Sequence, residues 1–533
     1  MAASLRELAS PGVPGWGFAL FLAVNAVQVW GGVFPFLPME FQTVQVTLSF
    51  YVAQALAGLL TYLGFGVGSY VAPRPAARVL PVLAAPPMIA GSAALIAAMY
   101  VQPGLTLAFV ICAGVLLGLG STGMTLGWQR TFSSYEGERG DVLLVVGTGL
   151  SALIYFALYL RPAAVTAYLV PLVLLPLCAA ALTVSARSID LSQPMFTDVP
   201  SAHPRIYVSF AHDYWRSSLA AGAVGFVAGI MRAVALADVT AGHVVNITSM
   251  FGALCSAGVI LVLWRRFSFH LSMRKAYRWF FPVLTLAVTF VPFSNAMAYL
   301  DVFAGLVYML YAFVQMVLLV QCAQASRDRG VCPVLTYAFC SGIMHALQFA
   351  GFLCGWACGL AEGAGLEQLS RASLLAVWLL GMVLFLIWLR RPAFKARRSP
   401  DAVAFVAFGQ GDARAEAAEK PLGSGAAPGP AGETHGYARA EGDDPDLEIP
   451  VRPVLDRLTK QCEAIRLAYR LSDRETEVME LVARGDTVAR IAEKLSVSEN
   501  TVRTHAKRVY AKLGIHSKQE LSDLVRSFRP MEL

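Results

Sequence analysis

The chain has 533 residues, of which 56% are hydrophobic and only 14% are charged, and its mean hydropathy is +0.58. A soluble globular chain is about a quarter charged and just under half apolar, so this composition excludes an ordinary soluble protein and indicates a membrane protein. The net charge of +7 does not by itself indicate nucleic-acid binding, because membrane proteins concentrate Arg and Lys in their cytoplasmic loops.

About twelve apolar runs are long enough to cross the roughly 30 Å hydrocarbon core of a bilayer. They lie near 16–36, 45–71, 79–100, 105–127, 142–160, 164–184, 217–237, 243–264, 279–300, 302–323, 333–359 and 372–389. An even number predicts both termini on one side of the membrane. The segments on that side carry twenty Arg and Lys residues, against only Arg161 and Arg371 on the other. By the positive-inside rule, both termini are predicted to face the cytoplasm.

The longest loop among these segments, 185–216, separates the first six from the last six. Twelve helices in two halves joined by a long cytoplasmic loop resemble the major facilitator superfamily. This resemblance covers about 16–390 and implies two related bundles with a cavity between them. The loop 64–78, "GFGVGSYVAPRPAAR", keeps glycines and two arginines but lacks the Asp of that family's motif, which weakens the case for active transport.

The composition changes sharply after the last apolar run. Residues 399–450 are rich in Gly, Pro and Ala and carry ten acidic side chains against three basic ones. This composition predicts a disordered acidic linker, with a typical span on the order of 40 Å. Residues 451–470 follow as an amphipathic connecting helix, with its apolar residues at helical spacing. That helix packs either on its own domain or on a second copy of the chain; its apolar residues are Leu455, Leu458, Cys462, Ile465 and Tyr469.

Residues 471–533 carry the start and stop signals of four short helices. Ser472 with Glu475, and Ser517 with Glu520, form capping boxes. Ser498 caps a third helix that ends at Gly514. Gly485 ends the first helix, and Asp486 or Thr487 caps the second. Four capped helices joined by tight turns predict a small all-α domain that contains a helix-turn-helix.

The third of these helices has one apolar face and one cationic face. Val502, Ala506, Val509 and Leu513 recur at intervals of four, three and four residues, so they are predicted to face the core. The residues left outside are Arg503, Thr504, Lys507, Arg508 and Lys512. An exposed cationic helix within a helix-turn-helix is typical of a helix that enters the major groove of DNA.

The string 471–521, "LSDRETEVMELVARGDTVARIAEKLSVSENTVRTHAKRVYAKLGIHSKQEL", resembles the LuxR-type helix-turn-helix of bacterial transcription regulators. The resemblance implies that Arg503, Thr504 and Lys507 read bases, and that this domain binds double-stranded DNA as a homodimer. It places phosphate contacts at or beside Asn500, Thr501, Arg508 and Lys512, and it makes His505 structural. Arg490 and Lys518 depart from the family pattern, but neither lies on the reading face.

Polar residues at mid-bilayer depth are the candidates for a ligand site, because such residues are expensive in lipid. Arg232 is the clearest of them. Three roles are open for Arg232: it makes interhelical hydrogen bonds, it binds an anionic or polar ligand between the two halves, or it takes part in proton-coupled transport. The uncharged candidates at comparable depth are Asn25, Gln28, Asn246, Gln315, His345 and Gln348.

The expected architecture is all-α: a polytopic bundle (1–398), the linker (399–450), the connecting helix (451–470) and a four-helix DNA-binding domain (471–533). We expect a multi-pass protein of a bacterial inner membrane that regulates transcription, with the bundle sensing an unknown small molecule or the state of the envelope. Two alternatives are a transporter with a fused regulatory module and an inert anchor. The chain has no nucleotide-binding, zinc-protease or serine-hydrolase motif, so no enzyme activity, cofactor or metal is expected.

Overall fold

The computed structural model describes residues 11–28, 43–135, 138–237, 239–267, 269–290, 297–360, 366–388 and 402–405 of the membrane part. In the C-terminal part it describes residues 461–462, 465–466, 468–483, 486, 488–495 and 497–527.

The first half of the membrane domain consists of helices with short connections. They are α1 (Gly12–Gln28), α2 (Val44–Val71), α3 (Pro73–Val79), α4 (Ala85–Ala97), α5 (Pro103–Ser134), α6 (Arg139–Tyr159), α7 (Ala163–Leu169) and α8 (Leu175–Arg187). A π-helical turn, Val170–Leu174, joins α7 to α8. Pro171 lies in that turn, where its missing N–H breaks the regular α-helical ladder.

The second half follows a loop that contains the single turn α9 (Pro194–Thr197) and a 3₁₀ turn, Pro200–Ala202. It consists of α10 (Pro204–Ala237), α11 (Val239–Arg266), α12 (Met273–Phe290), α13 (Met297–Arg329), α14 (Pro333–Leu360) and α15 (Leu366–Trp388). Several of the long helices begin at a proline, which suits the first turn because its fixed φ is helical and the N–H there has no helical partner.

Each predicted apolar segment coincides with helical residues of this bundle. Seven of the described helices are long and apolar enough to cross a membrane, and three more apolar helices are shorter, Gly12–Gln28, Ala85–Ala97 and Leu375–Ile387. The expectation of an all-α, multi-pass membrane domain is therefore confirmed.

The most extensive contacts between the two halves are those of α2 with α14 and of α6 with α11, and α13 also contacts α5 and α6. Within the second half, α10 and α14 lie close together at two glycines. A Cβ on Gly229 would collide with the carbonyl oxygen of Gln348, and one on Gly351 with that of Phe226. Small residues at such positions let membrane helices approach backbone to backbone.

One pair of short strands corrects the predicted linker boundary. Strand β1 (Phe269–Ser272), between α11 and α12, pairs antiparallel with β2 (Ala402–Phe405). Four residues assigned to the disordered linker are thus ordered against the membrane domain. The reason is an alternation within "AVAF": Val403 and Phe405 are both 1% exposed and belong to the membrane-domain core.

The C-terminal part forms a small helical domain with its own core. Its helices are α16 (Asp473–Ala483), α17 (Val488–Leu495), α18 (Glu499–Leu513) and α19 (Lys518–Ser527). The core holds residues from all four, including Val478, Ile491, Val502 and Leu521. The predicted four-helix arrangement is confirmed. The first ten residues of the connecting helix lie outside the described residues.

Candidate nucleic-acid interface and membrane cavity

Helix α18 is fixed at both ends by its own sequence. The Ser498 hydroxyl oxygen accepts a hydrogen bond from the Thr501 backbone N–H at 3.2 Å and so caps the first turn. Gly514 ends the helix with φ at +68°, and its N–H donates to the carbonyl of Tyr510. This left-handed conformation is strained for any residue with a side chain. Both predicted boundaries are confirmed.

Helix α18 has a buried apolar face and an exposed cationic face, as the spacing of its residues predicts. Val502 and Val509 are fully buried and Leu513 is 7% exposed, so this stripe packs in the domain core. Ala506 is half-buried beside them, and so is His505. On the other side, four of the predicted DNA contacts are exposed: Arg503, Thr504, Lys507 and Arg508. The structure therefore leaves one cationic surface on α18 available to a duplex.

Local hydrogen bonds order the start of this surface. Arg503 Nη2 lies 3.1 Å from Glu499 Oε2, one helical turn earlier, and both side chains are exposed. The Thr504 hydroxyl donates to the Asn500 carbonyl at 2.8 Å, while the hydroxyl oxygens of Thr501 and Ser498 lie 2.8 Å apart. The Glu499 contact competes with a base for Arg503 Nη2, whereas Lys507 and Arg508 have no comparable competing contact within the described domain.

Lys512 is engaged inside the domain. Its Nζ donates to Glu475 Oε2 at 2.7 Å and to the carbonyl of Arg470 at 3.3 Å. Because Glu475 is 5% exposed, this contact neutralises a buried carboxylate. The resemblance placed a phosphate contact at Lys512, but the sequence could not show that Glu475 faces it. A phosphate contact by Lys512 would compete with this ion pair, and it stays a prediction.

The Lys512 ammonium and the Ser472 backbone N–H both stabilise the ionised form of Glu475, and they lower the pKa of its carboxyl below the ordinary value. Ser472 and Glu475 form the predicted reciprocal capping box: the Ser472 N–H donates to Glu475 Oε2 at 2.9 Å and the Glu475 N–H to Ser472 Oγ at 3.3 Å. Glu475 thus joins the start of α16 to the end of α18, which holds the cationic helix in place.

The second predicted box is confirmed with a small difference. The Glu520 N–H donates to Ser517 Oγ at 3.1 Å, but Glu520 Oε2 accepts from the N–H of His516, one residue earlier than expected. Lys518 Nζ donates to the carbonyl of Asp486 at 3.0 Å. The predictions for Gly485 and Thr487, and for the side chain of Arg490, lie outside the described residues.

The described part of the connecting helix packs on its own domain. Cys462 and Ile465 are fully buried and belong to the core that contains Val478 and Val509. Tyr469, predicted on the same face, is 38% exposed. These contacts favour the first of the two alternatives, packing within one copy of the chain.

A cavity of about 140 Å³ lies between the two halves of the membrane domain. Helices α1, α2, α5 and α6 line it from the first half, and α10, α11, α13 and α14 from the second. The structure brings four predicted ligand residues together there, Asn25, Arg232, Gln315 and His345. Gln348, also noted from the sequence, lines the cavity as well.

Gln28 does not line this cavity. Its Nε2 donates to the Ser92 hydroxyl at 2.9 Å, and its side chain is 2% exposed. Gln28 bonds a residue of α4 whereas Asn25 lines the cavity, because the two side chains lie on different faces of α1, which a predicted depth does not distinguish. The Asn246 side chain lies outside the described residues.

Aromatic residues that the sequence analysis missed complete the cavity wall. The Arg232 guanidinium carbon lies 5.8 Å from the ring centroid of Tyr51 and 5.9 Å from that of Tyr308. The Tyr311 hydroxyl donates to Gln348 Oε1 at 2.8 Å. Asn25 Oδ1 and Gln315 Oε1 are buried acceptors with no hydrogen-bond partner among the described residues. Tyrosine at helical spacing is common in membrane helices, so no sequence signal separated these rings from ordinary packing.

A buried ion pair at one end of the bundle was also missed. Arg327 Nη2, at the end of α13, lies 2.6 Å from Asp141 Oδ1 at the start of α6, and both side chains are less than 10% exposed. Gln324 Nε2 donates to the other Asp141 oxygen at 2.8 Å, and Arg327 Nη1 to the Phe132 carbonyl at 3.3 Å. Gln129 Nε2 donates to the Leu319 carbonyl at 3.2 Å. These bonds join the first half to the second.

Comparison with known proteins agrees with the geometry of the C-terminal domain. Residues 469–525 match the family described as "Bacterial regulatory proteins, luxR family". The C-terminal domain is a LuxR-family DNA-binding domain. Similar chains include the response regulatory protein YgeK of Escherichia coli (39% identical over 70 residues), the fimbriae Z protein of Salmonella typhimurium (40% over 57) and the oxygen regulatory protein NreC of Staphylococcus aureus (49% over 51).

The likeness to these regulators is confined to the LuxR-family domain. The matches cover 10–12% of this chain, and they span 48% of YgeK, 27% of the fimbriae Z protein and 24% of NreC. The chain therefore spans less than half the length of these relatives, and the similarity concerns one domain only.

The membrane domain resembles a solved transporter. It is similar to a bacterial homologue of the iron transporter ferroportin in its outward-facing state, with a TM-score of 0.51 and 16% identity, over 71% of this chain and 99% of that one. At this identity the likeness shows a transporter-like fold and assigns no cargo. The predicted two-half architecture is confirmed.

Proposed function

We propose that this chain is a membrane-tethered transcription regulator of a bacterial inner membrane, whose bundle senses a small molecule and whose LuxR-family domain binds double-stranded DNA as a homodimer. The observation that carries the proposal is the exposed cationic surface of α18 within a capped helix-turn-helix, on the same chain as a polytopic bundle. In this proposal Arg503, Thr504 and Lys507 contact bases, and Asn500, Thr501 and Arg508 lie along the phosphates.

DNA is reached only if the C-terminal domain lies in the cytoplasm. The distribution of Arg and Lys supports this orientation. Contacts between helix ends that share a predicted side support the alternation of the segments on which this orientation rests: Asp141 lies 2.6 Å from Arg327, and Asp213 lies 2.8 Å from Arg329, all at predicted cytoplasmic ends. At predicted external ends, the hydroxyls of Tyr100 and Tyr168 lie 3.0 Å apart.

The cavity between the halves is the proposed sensing site. Its wall combines a guanidinium with aromatic rings and amide groups, which suits a small polar or anionic molecule that both halves contact. A buried amide oxygen in a membrane domain is costly without a hydrogen-bond donor. Asn25 on one half and Gln315 on the other thus offer acceptors to one bound molecule.

The alternative proposal is a transporter with a fused regulatory module, and the transporter-like fold is the observation that favours it. Proteoliposomes and DNA binding separate the two. A regulator binds a candidate solute without flux, and that solute changes occupancy of a DNA site selected from random sequence by the full chain. Saturable uptake of the same solute, with DNA occupancy unchanged by it, would support the transporter instead.

A further inference from the structure

The point where the tether leaves the membrane domain is not the end of the last helix. Thirteen residues separate Trp388, the last residue of α15, from Ala402, where β2 begins. The register of β2 against β1 is Phe269 with Phe405, His270 with Ala404, Leu271 with Val403, and Ser272 with Ala402. The start of the tether is therefore held on the loop between α11 and α12.

The docking rests on one aromatic side chain. Phe405 lies edge-on to Trp264, with ring centroids 4.8 Å apart, and stacks on Phe269 at 4.8 Å. Trp264 is fully buried at the end of α11, and β2 also contacts α13. An isolated pair of short strands is marginally stable in water. Burial of Phe405 and Val403 thus supplies most of what holds β2 in place.

The partners of β2 also line the cavity. Helix α11 carries Ser249, Met250 and Ala253 at the cavity wall, and Trp264 lies about 16 Å further along the same helix. Helix α13 carries Tyr308, Tyr311 and Gln315 at the wall. Helix α11 also packs on α6 of the other half, so it connects the contact between the halves to the surface on which Phe405 rests.

We propose that residues 402–405 are a releasable strap, held on the second half in one state of the cavity and released in the other, and that its release changes the regulatory output of the DNA-binding domain. This inference rests on the proposed sensing role of the cavity. Release frees residues 402–405 and removes the tether from the loop between α11 and α12. Full burial of one Phe shifts a docking equilibrium roughly 10- to 100-fold, so loss of the contact between Phe405 and Trp264 shifts the strap toward release.

Docking is tested directly by cross-linking in purified full chain reconstituted in nanodiscs. His270→Cys with Ala404→Cys places two thiols at facing positions of the register, and copper phenanthroline is the oxidant. His270→Cys with Ala407→Cys is the matched control, with the second cysteine beyond the strand. Efficient cross-linking of the first pair alone is expected. Equal cross-linking of both pairs, or of neither, would overturn the docked strap.

The regulatory role is tested in cells with a reporter driven by the DNA site that the full chain selects. Phe405→Ser is expected to shift reporter output roughly tenfold or more, and Phe408→Ser, three residues beyond the strand, to leave it at the wild-type level. Val403→Ser, at the second buried position, is the parallel variant if Phe405→Ser does not accumulate in the membrane. Wild-type output from the accumulated variant refutes the strap.

DNA binding by the purified chains distinguishes failure of the strap proposal from failure of the proposed function. Purified Phe405→Ser is expected to bind the selected DNA with the affinity of the wild type, because α18 is unchanged. If the wild-type chain binds no DNA, the proposed function fails. If wild type and variant bind alike and drive the reporter alike, only the strap fails.

Discussion

The ion pair between Arg503 and Glu499 gives a sharp test of which residues of α18 read DNA. Arg503 Nη2 lies 3.1 Å from Glu499 Oε2, with side chains 63% and 49% exposed. Such an exposed pair one helical turn apart contributes about 0.3–0.5 kcal/mol. A good base contact contributes about 1–3 kcal/mol. Arg503 gives up the pair on binding, so its net contribution is the base contact less this amount.

Three substitutions test this reasoning. Lys507→Ala costs about 1–3 kcal/mol of affinity for a selected site and relaxes its sequence preference. Arg503→Ala costs the free energy of its base contact less the roughly 0.3–0.5 kcal/mol of its ion pair with Glu499. Glu499→Gln tightens binding, because it frees Arg503 and removes a negative charge beside the phosphates.

The assay is fluorescence anisotropy with the full chain in detergent, repeated at two salt concentrations. Glu477→Gln on α16 is the control, because its exposed partner Arg474 is not a proposed DNA contact. Weaker binding by Glu499→Gln, or unchanged sequence preference in both Lys507→Ala and Arg503→Ala, would refute the assigned reading face.

Three further predictions concern other parts of the chain. The folded-state pKa of Glu475 lies below its ordinary value, so the stability that this carboxylate contributes is present above the unfolded pKa of about 4.3 and is lost as pH falls through the folded pKa. The difference in Tm between wild type and Glu475→Gln should therefore shrink from pH 7 to pH 3. A constant difference would contradict the ion pair with Lys512. Arg327→Met leaves Asp141 buried without its cation and should lower the stability of the membrane domain by about 3–5 kcal/mol. The double variant Asp141→Leu/Arg327→Met should regain much of that stability, and a double variant no more thermostable than the single one would contradict the pairing. Gly351→Ala should lower the thermal stability of the membrane domain because its Cβ meets the Phe226 backbone, whereas Gly381→Ala, with open space around it, should not.

Periodicity predicted most of the fold because burial acts on whole helical faces. The stripe through Val502, Val509 and Leu513 needed only a spacing rule, and the caps at Ser498 and Gly514 needed only local chemistry. The membrane segments were equally clear, since an apolar run of about twenty residues is the length that a helix needs to cross a bilayer.

Contacts between distant segments were not predictable in the same way. Gln28 and Asn25 lie three residues apart, yet only the structure shows that Gln28 bonds Ser92 on α4. Asp141 and Arg327 are 186 positions apart, so each resembled an ordinary loop charge. The strand at Ala402–Phe405 is four residues long, and its partner lies on a different loop. Such short, non-local pairings leave little trace in a single sequence.

The central claim is that one chain presents α18 to DNA on the cytoplasmic side of a membrane. The most direct measurement is binding of the selected duplex to sealed vesicles that carry the full chain, prepared both inside-out and right-side-out. Inside-out vesicles should bind the duplex, Lys507→Ala should weaken that binding, and right-side-out vesicles should bind only after they are opened. Binding by intact right-side-out vesicles, or equal binding by Lys507→Ala, would contradict the account.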